Sequence, residues 1–190
     1  MTIRDIFIGG NMKKLFLILP LALIVCFMVG CQDKGAMAEL EKFKAQAEVE
    51  EQNKALVRKM IEELNKGNVG ILEEVLAPDY VYYTPSGSTK PMSKEETIES
   101  VNAHGKAFPD LNWNIEELIA EGDKVVLRFI ALGTHQGEFE SIPATGNKIE
   151  ISAIEVFRIE NGKIVEERLD GDMLGVMMQL GMELKPKEEK

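Results

Sequence analysis

The sequence predicts an α+β domain, and three observations lead to that class. A long stretch free of Pro and Gly and rich in Ala, Glu, Lys, Gln and Leu comes first. Strand-like segments separated by Gly, Pro and Asn-Gly turns come last. Neither βαβ alternation nor an internal repeat links the two halves, so an antiparallel meander covered by N-terminal helices is expected rather than α/β.

The N-terminus reads as a processing segment. Lys13 and Lys14 precede an uncharged apolar run from Leu15 to Val29, then Gly30 and Cys31, the layout of a signal peptide over residues 1–30. Such a run rises only about 22 Å as a helix, short of the ~30 Å hydrocarbon core, so a permanent span is the weaker alternative. Met28-Val29-Gly30-Cys31 resembles the bacterial lipoprotein box, with Met28 standing where Leu is usual. That resemblance implies an extracytoplasmic chain held to the membrane by a lipid on Cys31. Residues 1–11 lie ahead of the basic pair and include Asp5, which makes Met12 an alternative translation start to Met1. Cys26 falls in the removed segment and Cys31 carries the lipid, so no disulfide is expected in the mature chain.

Residues 36–66 favour helix throughout. Leu56, Val57, Met60, Ile61 and Leu64 recur at helical spacing and should lie on a sheet, whereas residues 31–51 are more polar and read as a tether. A coiled coil is the alternative for 37–51, on the short stripe Met37, Leu40, Phe43 and Ala47. Gly67 caps the helix, Val69–Leu76 form a further helical turn, and Tyr80–Tyr83 read as a strand. A Gly/Pro loop at 85–91 leads to a capping box, Ser93 with Glu96, opening a helix that runs to Pro109. Strands are expected at 112–120, 124–134 and 147–160, with an Asn161-Gly162 hairpin into a last strand from Lys163 to Asp170. Met173–Leu180 close the domain as a helix before Gly181, so the domain spans 52–182 and a charged tail fills 183–190.

With 32 acidic against 22 basic side chains and a net charge of -10, the surface repels phosphate backbones. Nucleic acid is therefore excluded as a partner, and membrane attachment falls to the lipid on Cys31 rather than to charge. No His/Cys/Asp cluster has metal-ligand spacing, and neither a Gly-rich phosphate loop nor a nucleophilic Ser elbow is present. No cofactor is expected.

The hairpin fixes an expected register. If Glu160 faces Lys163, then Ile159 faces Ile164, Phe157 faces Glu166, Glu155 faces Arg168 and Ala153 faces Asp170. Glu155 and Arg168 then form a cross-strand ion pair. Alternation puts Arg168, Asp170 and Asp172 on one face, which is either a site or a solvated surface. Asp172 also suits the N-cap of the closing helix. Trp113, Phe129 and Phe157 read as core, and His104 as a half-buried packing residue.

Four segments, Leu76-Ala-Pro-Asp-Tyr-Val81, Ala107-Phe-Pro-Asp-Leu111, Gly133-Thr-His-Gln-Gly137 and Asp172-Met-Leu-Gly-Val-Met-Met-Gln-Leu-Gly181, resemble in order the SnoaL-like polyketide cyclases of the nuclear transport factor 2-like superfamily. The resemblance implies a curved sheet wrapped by helices into a cone, a pocket for a small apolar molecule at its open end, and frequent homodimerisation through the sheet. It implies that Asp172 is the general acid/base of an intramolecular aldol closure, a role in which an apolar cavity would raise a carboxyl pKa. Tyr83 stands where relatives often carry His, and Arg168 where many carry Trp. Tyr83, His135, Glu155, Arg168 and Asp170 are the pocket candidates, with His135 lining the mouth, supporting a dimer or playing a structural part. Arg168 with Asp170 also resembles the Arg-x-Asp of limonene epoxide hydrolases. The expected function is cofactor-free acid/base chemistry, of aldol cyclisation or isomerisation type, on a small apolar carbonyl compound. The alternatives are a non-catalytic binding lipoprotein and an epoxide-hydrolase-like enzyme. Since polyketide assembly is cytoplasmic, the cyclase name is expected to mark ancestry rather than substrate.

Overall fold

A computed structural model describes residues 12–83, 90–183 and 185, with side chains described from Lys34 onward. Residues 1–11, the side chains of the cleavage region and of Cys31, and most of the 85–91 loop and of the tail lie outside what is described. The chain divides into two compact units, residues 1–47 and 48–190. In the first, the backbone from Met12 belongs to α1 (Met12–Asn65), and the side chains from Lys34 to Ala47 are exposed. Met37, Leu40 and Phe43 thus face solvent.

In the second unit, Val57, Met60 and Ile61 of α1 are buried and Leu56 and Leu64 pack beside them, the face that the spacing predicts. The helix ends where Gly67 N donates to Leu64 O and Asn68 N to Glu63 O, a closing pattern that uses the positive φ of 77° at Gly67. A short α2 (Ile71–Val75) feeds β1 (Leu76–Tyr83), longer than the expected four-residue strand because Leu76 already pairs with Ile164. A two-residue β2 (Met92–Ser93), absent from the sequence reading, pairs with β1. The capping box is present: Ser93 Oγ accepts from Glu96 N and Glu96 Oε2 from Ser93 N, opening α3 (Lys94–Ala107).

The meander follows as β3 (Asn112–Glu121), β4 (Lys124–Thr134), β5 (Lys148–Glu160) and β6 (Lys163–Gly171), then α4 (Met173–Gln179). The sheet order is β2-β1-β6-β5-β4-β3. β1 and β6 run parallel and the other neighbours antiparallel, so the first strand returns beside the last. Alternation sorts the faces: Val125, Leu127, Phe129 and Ala131 of β4 and Ala153, Phe157 and Ile159 of β5 are buried. Each of the larger side chains, the two alanines aside, contributes about 1.5–3 kcal/mol if fully removed from water. A second cluster, Ala107, Phe108, Phe139, Ile149, Val176 and Leu180, closes the end of the sheet under α4.

The register shifts between β1 and β6 from Leu76 to Val81, and single extra residues interrupt the two antiparallel ladders of β3 and β6. Glu116 is extra on β3 and Val165 on β6, where Ile159 faces Ile164 but Arg158 already faces Glu166. This corrects the expected register. From Phe157 onward the partners are displaced by one residue, so Glu155 faces Leu169, Arg168 faces Val156, and the expected Glu155–Arg168 ion pair does not form.

Candidate functional site

The concave face of the sheet and helices α1, α3 and α4 enclose a chamber of about 210 Å³. Met60, Ile61 and Leu64 reach it from α1, Thr97, Ser100, Val101 and His104 from α3, and Met173 and Val176 from α4. Trp113, Phe129, Ala131, Ile151 and Ala153 form its sheet wall. Phe108 and Phe139, with ring centroids 5.3 Å apart, close the side toward the second core cluster. The loop that carries Phe139 is held against α3 through Gly137, whose backbone runs so close that an added Cβ would lie 2.4 Å from Lys106 O. Gln136 N and Gly137 N both donate to Ala107 O there.

The polar groups are few. Glu155 on β5 and Glu167 on β6 both line the chamber. They sit on one face at diagonal positions, since Phe157 faces Glu167 and Glu155 faces Leu169. Tyr80 Oη donates to Glu167 Oε2 at 2.6 Å, and Tyr82, the register partner of Glu167, also lines the wall. Burial pushes the Glu155 carboxyl well above its ordinary value, and the neighbouring Glu167 pushes it further. Desolvation raises Tyr80 and Tyr82 as well, with the two carboxyl groups adding to it, so both phenols stay protonated. Among the described residues, neither Lys nor Arg lines the chamber. His104 Nδ1 lies 2.7 Å from Ser100 O, which orients the ring toward Phe139.

The residues singled out from the sequence divide between two faces. Glu155 is in the chamber and 8% exposed, without its expected cation. Arg168 and Asp170 are exposed and are not among the lining side chains. The Arg168 guanidinium lies 4.0 Å over the Tyr83 ring and its Nε bonds Glu166 Oε1 at 2.8 Å, so Tyr83 also belongs outside the chamber wall. His135 is fully buried rather than at a mouth: Thr145 N donates to its Nδ1 and the ring stacks on Phe108 at 5.2 Å. Thr145 Oγ1 lies 3.1 Å from the same nitrogen, and Nε2 is buried without a partner among the described residues. Asp172 is exposed and caps α4, its Oδ1 accepting from Gly175 N at 2.8 Å. It stands one residue before the lining Met173. Trp113 and Phe129 line the chamber, whereas Phe157 is core.

Sequence reasoning missed Glu167, Tyr80 and Tyr82. Alternation in Tyr80-Val81-Tyr82-Tyr83 was sufficient to put the two tyrosines on one face. Nothing in the residues around Val165 announces a bulge, and without it Glu167 is assigned to the outer face.

Residues 54–180 match the family profile described as SnoaL-like polyketide cyclase. The aklanonic acid methyl ester cyclase DauD of Streptomyces sp. strain C5 is 32% identical over 133 residues, covering 66% of this chain and 80% of that protein. DnrD of Streptomyces peucetius, of the same description, is 28% identical over 128 residues, covering 66% and 88%. Among solved structures, AclR, a candidate hydroxylase of Streptomyces galilaeus, superposes with a TM-score of 0.64 at 30% identity, over 70% of this chain and 97% of that one. TsrD of Streptomyces laurentii gives 0.60 at 27% identity, over 68% and 95%. One fold thus carries a cyclase name and a hydroxylase name, and the reaction has to be argued from the side chains.

Proposed function

Because the chain belongs to the SnoaL-like polyketide cyclase family, we propose that it performs cofactor-free acid/base chemistry, aldol closure or isomerisation, on a small apolar carbonyl compound. One observation supports this most: a largely apolar chamber of about 210 Å³ whose only ionisable lining groups, among the described residues, are His104, Glu155 and Glu167, with Tyr82 beside them. Ligand pockets commonly run from about 300 Å³ upward, so this one suits a compound smaller than a typical drug. An apolar wall binds the carbon skeleton. A carboxyl kept neutral by that wall gives or takes a proton near neutral pH.

Asp172 enters this reading through the family motif, and its hydrogen bond to Gly175 is that of a helix cap. Asp172→Asn keeps the cap and removes the ionisable group, so it measures the share of Asp172 in any turnover. A lipid on Cys31 would present the domain outside the cytoplasm, and the signal-peptide layout of residues 1–30 supports that placement.

The test uses cyclohexanone in deuterium oxide. Proton NMR follows α-hydrogen exchange, and the fluorescence of Trp113, the single tryptophan and a lining residue, follows binding. Exchange well above the buffer rate supports the proposal. Saturable quenching with exchange at the buffer rate points instead to a binding lipoprotein, and no quenching at all removes the ketone class.

A further inference from the structure

Two carboxyl groups on one apolar wall are a costly arrangement, since among the described residues neither Lys nor Arg lines it to compensate them. Leu127 and Leu169, the cross-strand partners of Glu155, show what the wall uses where only packing is at stake. Two carboxylates side by side on an apolar wall repel, and burial adds to this at Glu155, which favours a proton on the pair. Tyr80 Oη donates to Glu167 Oε2 at 2.6 Å, a bond that is stronger to a carboxylate than to a neutral carboxyl. Glu155 is the more buried of the two, and burial favours its neutral form.

On the carbonyl reading above, on which this inference rests, we propose that Glu155 and Glu167 are the paired acid and base that act on the carbonyl end of the substrate at the chamber wall. Glu155 gives its proton to the carbonyl oxygen while Glu167, held by Tyr80, takes one from the adjacent carbon. The carbon–hydrogen pair becomes the carbon–carbon double bond, and the carbonyl π pair becomes the new oxygen–hydrogen bond. The product is the enol, and the two carboxyl groups together hold as many protons as before. The proton on Glu167 returns to Glu155, so the cycle closes without a redox partner or cofactor. The titratable groups facing the pair are Tyr80 and Tyr82 from β1 and His104 from α3. The substrate class follows: one carbonyl at the inner end, with an apolar body lying against Phe129 and Ile151.

The experiment compares wild type with Glu155→Gln and Glu167→Gln, measuring α-hydrogen exchange of cyclohexanone together with Trp113 quenching. Each variant is expected to keep quenching and lose about a hundredfold or more in exchange. Wild type is expected to show a bell-shaped pH profile that each variant abolishes. Exchange within about threefold of wild type in both variants, with binding intact, overturns the paired role and leaves the ketone reading standing. Binding without exchange in wild type overturns both. Should either variant fail to fold, carbon NMR of carboxyl-labelled glutamate in wild type decides. A proton retained by the pair above the ordinary carboxylate range supports the proposal, and two carboxylates ionising together in that range overturn it.

Discussion

Replacing Glu155 by Gln removes a titratable group from the chamber wall while keeping its size and a donor for Glu167. Glu155 is 8% exposed, and burial raises its carboxyl above the ordinary value of 4.5. The folded chain therefore holds a proton at pH values where the unfolded chain has released it, and the native state binds more protons. Unfolding free energy then falls as pH rises above about 4.5, by about 1.4 kcal/mol per pH unit for one proton, until the folded-state carboxyl itself ionises. Below that window the group contributes no slope. The amide introduced by Glu155→Gln carries no such penalty, so the stability of the variant relative to wild type should be flat in acid and climb by that slope above it. For a domain of this size the climb amounts to about 4 °C in Tm per pH unit. Thermal melts of both proteins from about pH 4 to pH 8 measure it directly. Parallel curves across the window would show that Glu155 titrates like a solvated carboxylate, and the chamber would then be wet rather than apolar.

Further perturbations probe other parts of the structure. Gly137→Ala brings a Cβ to 2.4 Å from Lys106 O, a backbone atom, and should cost about 1–3 kcal/mol in denaturant unfolding. Gly105→Ala, in α3 with nothing within 4 Å, should instead stabilise by about 0.5–1 kcal/mol and serves as its control. Tyr80→Phe removes the 2.6 Å bond to Glu167 and should lower stability by about 1.5–3 kcal/mol, read from the denaturant midpoint at unchanged slope. Radiolabelled palmitate should enter the wild-type chain in a bacterial host and be absent from Cys31→Ser; equal labelling would refute lipidation at that residue.

The legible parts of this protein were those written in local rules. Ser93 with Glu96, Asn161-Gly162 and the spacing of Val57, Met60 and Ile61 each encode a cap, a turn or a buried face within a few residues. The hairpin bears this out: Asn161 and Gly162 take positive φ values of 51° and 72°, and Glu160 faces Lys163. The site was less legible because it depends on register carried across strands. Glu155 was singled out but given the wrong neighbour, since a single unpaired residue on β6 transposes everything beyond it. Tyr83 was favoured over Tyr80 and Tyr82 because a motif drew attention away from strand alternation. The capping role of Asp172 could be read from Met173 onward. Its absence from the side chains that line the chamber could not.

Val165 has a further consequence. Ile164 and Glu167 both face inward although an odd number of steps separates them, which a regular strand forbids. Were Val165 to pair with Arg158 instead, the same hairpin would bring Arg168 beside Glu155 and replace an exchangeable hydrogen by a fixed ion pair. The register that the strand adopts keeps Arg168 off the chamber wall. Shortening β6 by that single residue is the edit that would keep Ile164, Glu167 and Leu169 together on one side and leave no spare position for the strand to slip into.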